Sequence, residues 1–168
     1  DMIKLKSSGV KLHYVSNGSP DKPLMLFVHG FPECWYTWRY QIKHFSHNYR
    51  VVAIDQRGYG LSSKPDSISD YYVEKLARDI ADVIEQLGNG SCILVGHDWG
   101  GAVAWMTTLL YPQMIKKLII MNCPHPAAFK KAMSFAQLRR SWYMFFYQTP
   151  IVPELLLQAN DFVVFKRA

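Results

Sequence analysis

Four short runs of mainly apolar residues, separated by segments with helical spacing, constrain the fold of this 168-residue chain more than any other feature. They occupy residues 24–28, 50–54, 92–95 and 115–121, and each has the length of a strand that is buried on both faces. Strands that alternate with helices form a mostly parallel sheet covered on both sides, because the crossovers between them are right-handed. The sequence therefore predicts an α/β fold with a doubly wound sheet, and a functional site at the carboxyl ends of its strands.

The segments between these runs predict the remaining elements. Residues 3–15 alternate around a turn at Ser8–Gly9, which is typical of a β-hairpin. Helices are expected at residues 35–47, 72–87 and 100–111. In the second of these, apolar residues recur at three- and four-residue spacing, with Asp70 as the expected N-cap and Asp82 on the face assigned to solvent.

Composition and spacing exclude several classes of protein. Hydrophobic residues make up 49% of the chain and charged residues 19%, which is typical of one folded domain with a real core. The net charge of +6 comes without a polybasic tract or a phosphate-binding glycine loop, so no nucleic-acid partner is expected. The three cysteines and six histidines lack metal-ligand spacing, and no metal or other cofactor is expected.

Cysteine usage and the start of the chain also give an expected location. The cysteines are few, odd in number and set in apolar surroundings, which favours a reducing compartment, and the first eight residues lack the pattern of a signal peptide. We therefore expect a cytoplasmic protein. Membrane association, at the endoplasmic reticulum, would require an anchor preceding Asp1. The oligomeric state is left open.

Unusual residues follow three of the predicted strands. The first strand is followed by His-Gly-Phe-Pro-Glu at residues 29–33, and the second by Asp-Gln-Arg-Gly-Tyr-Gly-Leu-Ser at 55–62. The third ends in Gly-His-Asp-Trp-Gly-Gly at 96–101. This last segment has the form of a nucleophile elbow, a sharp strand-to-helix turn flanked by small residues, with Asp98 at the position of the nucleophile.

A lone aspartate before a helix is more often an N-cap than a nucleophile. Here the small residues of the elbow and the complementary first strand end favour the nucleophile. The backbone amide of Phe31 can be aimed at the same point as the amide of Trp99, which would give a two-donor oxyanion hole. The helix that begins after Asp98 also directs its free amides toward a carboxylate.

These motifs resemble those of the epoxide hydrolases of the α/β-hydrolase superfamily. The family pattern HGxP, RGxGxS and GHDWGG is matched at residues 29–32, 57–62 and 96–101, the second being the least specific because it is equally a structural glycine turn. The resemblance implies an α/β-hydrolase fold of which only the N-terminal part is present. Residues 1–123 would form that part of the core, and 124–168, where prolines punctuate aromatic and basic stretches, the start of a helical cap.

The chemistry explains an aspartate in place of serine. A carboxylate that opens an epoxide forms an ester, which an oxyanion hole is suited to hydrolyse, whereas serine would form an ether. The resemblance implies a small hydrophobic epoxide and water as reactants, a diol as product, and a role in detoxification or lipid-epoxide metabolism.

Other groups complete the expected site. The resemblance implies that two cap tyrosines give a proton to the opened ring; Tyr143 matches the first by its distance before Pro150, and Tyr147 is the runner-up and a substrate-binding residue. Aromatic packing is the alternative for both tyrosines. Pro32 and Trp35 are expected to line an apolar substrate pocket.

Several points stay open at this stage. We expect His29, His97 and His125 to bond within their loops rather than to act as bases. The acid and histidine of the family's triad have no candidate before Ala168, so the expectation is a fragment or a truncated form. The alternatives to an epoxide hydrolase are a haloalkane-type dehalogenase, whose residue at the position of Phe31 is often Asn, and a non-catalytic relative that binds a ligand or partner.

Overall fold

The computed structural model describes residues 1–132 and the single positions 139, 142, 146, 149, 152, 153, 155 and 156. The strands are β1 (Met2–Lys4), β2 (Lys11–Asn17), β3 (Leu24–Val28), β4 (Arg50–Ile54), β5 (Cys92–His97) and β6 (Ile115–Met121). The α-helices are α1 (Arg39–Phe45), α2 (Val73–Leu87), α3 (Trp99–Leu110) and α4 (Pro126–Ala132), and short 3-10 turns occur at Trp35–Trp38, Ile68–Tyr71 and Pro112–Met114.

The strands form one sheet with the order β1-β2-β4-β3-β5-β6. The hairpin partner β2 pairs antiparallel with β1 and β4, whereas β4, β3, β5 and β6 run parallel. Val28 at the end of β3 lies level with Ile54 of β4 and with Gly96 of β5. The three loops singled out in the sequence therefore leave the same edge of the sheet, and the predicted α/β fold class is confirmed.

Core residues cover both faces of this sheet. Leu26 and Val28 face a cluster that includes Ile80 of α2 and Val103 of α3. Phe27 points the opposite way and packs against Trp38, with ring centroids 4.9 Å apart. Successive side chains of β3 thus enter different cores, which is why its sequence is apolar throughout and lacks alternation.

Two predicted elements differ from the structure in detail. The segment at 115–121 is a strand but not a fully buried one, since Ile119 and Met121 are 45% and 38% exposed. The reason is its place at the edge of the six-stranded sheet. The helix expected at 35–47 is divided between a 3-10 turn and the shorter α1.

Two acidic residues in the region of α2 differ from the sequence prediction. Asp70 is not its N-cap: the helix begins after Tyr72, which makes no side-chain cap bond, and the Asp70 carboxylate receives a hydrogen bond from Lys75. Asp82 is buried rather than solvated, because the amide and hydroxyl of Ser7 donate to its Oδ2 at 2.8 and 2.7 Å. The hairpin turn therefore covers part of the helix that periodicity assigns to solvent.

The chain divides into two compact units, Asp1–Pro126 and Ala127–Ala168. In the second unit, the rings of Trp142 and Phe146 are 5.8 Å apart, and the Thr149 amide and hydroxyl both donate to the Phe146 carbonyl. The assignment of residues 124–168 to a cap stays a prediction. None of the helices within the described residues has the length and apolar character needed to cross a membrane.

Candidate active site

Asp98 stands at a strained turn between β5 and α3. Its backbone has φ 50° and ψ −120°, a region that costs a non-glycine residue about 1–3 kcal/mol. Its amide donates to the Met121 carbonyl at 3.0 Å, and its carbonyl accepts from Gly101 and Ala102 at 2.9 and 3.2 Å. The neighbouring strand and the first turn of the helix therefore hold the carboxylate at the carboxyl edge of the sheet.

Close packing between strand and helix explains the glycines of this turn. A Cβ added to Gly96 would lie 2.6 Å from the Gly100 carbonyl oxygen and 2.9 Å from the Ala104 Cβ. A Cβ added to Gly100 would overlap the backbone carbonyls of Val28 and His29. The elbow can approach β3 and β5 this closely only without side chains at these positions.

The loop after β3 brings a backbone donor to the Asp98 carboxylate. The Phe31 amide donates to Asp98 Oδ1 at 3.2 Å, across 67 residues of sequence. The peptide bond between Phe31 and Pro32 is cis. A Cβ on Gly30 would lie 2.7 Å from the Asp98 Cβ, so the loop packs against the elbow too closely for any side chain at position 30. The structure thus brings together Asp98 and the first of the two expected oxyanion donors.

The second expected donor, the amide of Trp99, belongs to the first residue of α3. Amides in the first turn of a helix have no acceptor within the helix, so they are available to an anion. The Trp99 side chain is 37% exposed. Its role in an oxyanion hole stays a prediction.

Glu33 links the two loops, a contact that the sequence reasoning missed. Its Oε2 accepts from the Gly30 amide at 2.9 Å and lies 3.1 Å from His97 Nδ1, while Oε1 accepts from the Thr37 hydroxyl at 3.2 Å. Burial alone would raise the pKa of Glu33, but the Gly30 amide, His97 and the Thr37 hydroxyl together lower it. The carboxylate therefore stays ionised and fastens the Phe31 loop to the residue before Asp98.

His97 is held from both sides. Because a carboxylate only accepts, Nδ1 carries the proton toward Glu33, and Nε2 lies 3.3 Å from the side-chain nitrogen of Asn122. The expectation that His97 bonds within its own loop is wrong, because Glu33 belongs to the loop after β3 and Asn122 to the loop after β6. That His97 does not act as a base stays a prediction. Glu33, the acidic residue of His-Gly-Phe-Pro-Glu, could have suggested such a contact from the sequence. Nothing near it in the sequence indicates that its partner is His97.

His29 is a buried structural residue, as expected. It is 0% exposed, its Nδ1 donates to the Gly30 carbonyl at 2.8 Å, and its Nε2 accepts from the Gln56 amide at 3.1 Å. Burial lowers the pKa of His29, which keeps the ring neutral. Tyr59 stacks edge-on against it at 4.9 Å, and burial together with the negative charge of Asp98 raises the pKa of Tyr59 to about 12. Tyr59, which was also missed, thus forms part of the surroundings of Asp98.

The contacts of the other predicted site residues do not assign them a role. Pro32 is exposed in the loop after β3, next to Phe31. Trp35 donates its amide to Asp55 Oδ1 at 2.8 Å and meets the ring of His13 edge-on at 6.4 Å, contacts that lie at the loop after β4. The assignment of both to a pocket stays a prediction. Tyr143 and Tyr147 lie outside the described residues. Within the described part of the chain, no three His, Cys, Asp or Glu side chains could hold a metal.

The contact between Gly30 and Asp98 gives a first prediction. We expect Gly30→Ala to push the Phe31 loop away from Asp98 and to slow covalent capture of an electrophile by about 10- to 100-fold, because the carboxylate loses the hydrogen bond that orients it for attack. The rate of adduct formation, followed by intact mass spectrometry, measures this. Gly90→Ala is the control, because a Cβ there meets nothing within 4 Å although φ is +81°. Equal slowing in both variants would contradict the prediction.

Sequence comparison identifies the fold. Residues 23–166 match the family described as alpha/beta hydrolase fold. The chain belongs to the α/β-hydrolase family. This α/β hydrolase is 56% identical over 161 residues to "Epoxide hydrolase 1" of Caenorhabditis elegans, covering 95% of this chain and 39% of that protein. It is 47% identical over 166 residues to human "Epoxide hydrolase 4", covering 98% of this chain and 46% of that one.

A solved structure resembles this α/β hydrolase over nearly its whole length. The F128A mutant of an epoxide hydrolase from Bacillus megaterium, in complex with its product (R)-3-[1]naphthyloxy-propane-1,2-diol, has a TM-score of 0.90 and 40% identity. The match covers 99% of this chain and 58% of that chain. The chain therefore spans about half the length of the proteins it matches.

Proposed function

We propose that the protein hydrolyses epoxides to vicinal diols through an ester formed on Asp98. The observation that carries this proposal is the carboxylate of Asp98 at the elbow, 3.2 Å from the backbone amide of Phe31. An aspartate in this place selects a saturated carbon electrophile, because the ester it forms can be hydrolysed afterwards. The three relatives described above are each named epoxide hydrolases, which supports an epoxide as the substrate.

In the first half-reaction, an Asp98 carboxylate oxygen attacks a ring carbon of the epoxide. A carbon–oxygen bond forms to Asp98 as the ring carbon–oxygen bond breaks, and the released alkoxide takes a proton. Tyr143 is the proposed proton donor and Tyr147 its alternative. Because the ring opens without losing a group, the whole epoxide is retained on the protein.

In the second half-reaction, water attacks the carbonyl carbon of the ester. Negative charge develops on the carbonyl oxygen, where the amides of Phe31 and Trp99 would stabilise it. Collapse expels the diol and restores the carboxylate. This step needs a base to take a proton from water, and the rings of His29 and His97 are already occupied by their neighbours. We therefore propose neither ring as that base, and the expectation for this 168-residue chain, as it stands, is that the ester accumulates.

The test is incubation with 1-naphthyl glycidyl ether, chosen for the diol bound in the Bacillus megaterium structure, and in parallel with a 1-chloroalkane. We expect an increase by the full mass of the epoxide, mapped by peptide sequencing to Asp98. A dehalogenase would instead gain only the alkyl group and release chloride. No adduct from either compound favours a non-catalytic protein, and multiple turnover would contradict the expected stop at the ester.

A further inference from the structure

The helix α1 and the 3-10 turn before it have one buried face and one exposed face. Trp38 and Ile42 point into the core and are 3% and 6% exposed. The opposite side carries exposed residues at three- and four-residue spacing. We call this side the α1 face; its members are Tyr36, Arg39, Tyr40, Lys43, His44 and His47.

The α1 face is basic. Residues 34–54 contain no aspartate or glutamate, so Arg39 and Lys43 are not neutralised by an acid within the segment. The ammonium group of Lys22 donates to the carbonyls of Ser46 and His47, which adds a third cation at the end of α1. Arg39 and Lys43 thus lie on α1 itself, and Lys22 reaches the end of this helix from the loop before β3.

The two tyrosines of the α1 face are large exposed rings arranged around one cation. Tyr36 is 55% exposed and Tyr40 is 69% exposed. The Arg39 guanidinium lies 4.7 Å from the Tyr36 ring centre and 4.3 Å from that of Tyr40. It thus covers one face of each ring, which fixes the three side chains as a unit.

This arrangement distinguishes between anionic partners. Single-stranded nucleic acid is bound by stacking successive bases on open aromatic faces, and here Arg39 leaves only one face of each ring open. Tyrosines are amphipathic and are favoured at the headgroup level of a bilayer, where basic residues meet acidic lipids. The two exposed rings and the two cations of a segment that contains no acid fit a lipid surface better than a base-reading site.

We propose that the α1 face binds the surface of membranes that contain anionic phospholipids. Each Lys or Arg near such a surface strengthens binding by about fivefold. Arg39, Lys43 and Lys22 supply the attraction, while Tyr36 and Tyr40 enter the headgroup layer. The binding is peripheral and weakens as salt is raised, because the charges are screened.

The experiment is sedimentation of the full chain with vesicles of phosphatidylcholine, with and without phosphatidylserine. We expect binding only to vesicles that contain phosphatidylserine. The double variant Arg39→Gln/Lys43→Gln is expected to bind about 25-fold more weakly, since it lacks two cations. The matched control is Lys116→Gln/Lys117→Gln, which removes two exposed charges from β6 and is expected to change binding less than about twofold.

Two further variants test the cations and the rings of the α1 face separately. Lys43→Gln alone removes one exposed charge and is expected to weaken binding about fivefold, so it substitutes if the double variant fails to fold. Tyr36→Ser/Tyr40→Ser tests the rings and should also weaken binding. Equal loss in the β6 control, equal binding to neutral vesicles, or no vesicle binding would overturn the proposal. So would tighter binding to single-stranded RNA that depends on Arg39 and the two tyrosines.

Discussion

Asp98→Asn is expected to slow ester formation with an aryl glycidyl ether by at least about 10⁴-fold, the scale of effect seen when a hydrolase loses its nucleophile. The amide is almost the same size as the carboxylate but carries no negative charge with which to attack carbon. Asparagine also tolerates the positive φ of 50° at this turn, so the elbow is expected to keep its shape. Intact mass spectrometry over time measures the rate, and thermal unfolding checks the fold.

The thiol of Cys123 is a second nucleophile near the elbow, and an adduct on it has to be distinguished from an adduct on Asp98. Cys123 packs against Gly101 of α3: a Cβ added to Gly101 would lie 2.7 Å from the Cβ of Cys123. Burial and the charge of Asp98 raise the pKa of the Cys123 thiol, which keeps it protonated and weakly reactive. Peptide mapping is therefore part of the experiment, with Cys123→Ser as the control. If Asp98→Asn forms the adduct at an undiminished rate on any residue, Asp98 is not the nucleophile.

The strands of the fold could be predicted because their signal is local. The runs at 24–28 and 50–54 coincide with β3 and β4, since a strand covered on both faces needs apolar residues throughout. The run at 115–121 coincides with β6, although that edge strand is only partly buried. The elbow was also readable, because the glycines around Asp98 and the residue itself are adjacent in sequence. Its contact with Phe31 followed from the meeting of parallel strand ends at one edge.

Other features depend on partners distant in sequence. Glu33 and His97 are 64 residues apart, and neither residue type signals the other. Helical periodicity placed Asp82 in solvent, whereas Ser7, 75 residues earlier, covers it. Such contacts arise from how the elements pack, so hydrophobic spacing within one element cannot reveal them. Tyr143, the proposed proton donor, stays a prediction from the resemblance alone.

Arg57→Met is expected to lower the free energy of unfolding by about 3–5 kcal/mol, the usual cost of leaving one partner of a buried ion pair behind. The Arg57 guanidinium binds both oxygens of Asp79 on α2, at 2.8 and 2.6 Å, and both side chains are buried. It also donates to the Asp70 carbonyl at 3.0 Å. The variant leaves the Asp79 carboxylate without its cation in the core, so the loop after β4 loses its attachment to α2.

Urea unfolding of three variants separates charge from packing. Arg57→Met/Asp79→Leu removes both charges and is expected to recover most of the lost stability, because no unpaired ion is then buried. Lys75→Met, which breaks the Lys75–Asp70 pair whose side chains are 47% and 31% exposed, is expected to cost far less stability than Arg57→Met, because water screens an exposed pair. A double variant as unstable as Arg57→Met would show that the loss comes from packing and the Asp70 bond. In that case the RGxGxS segment is held by its backbone turn, and the ion pair with α2 contributes little.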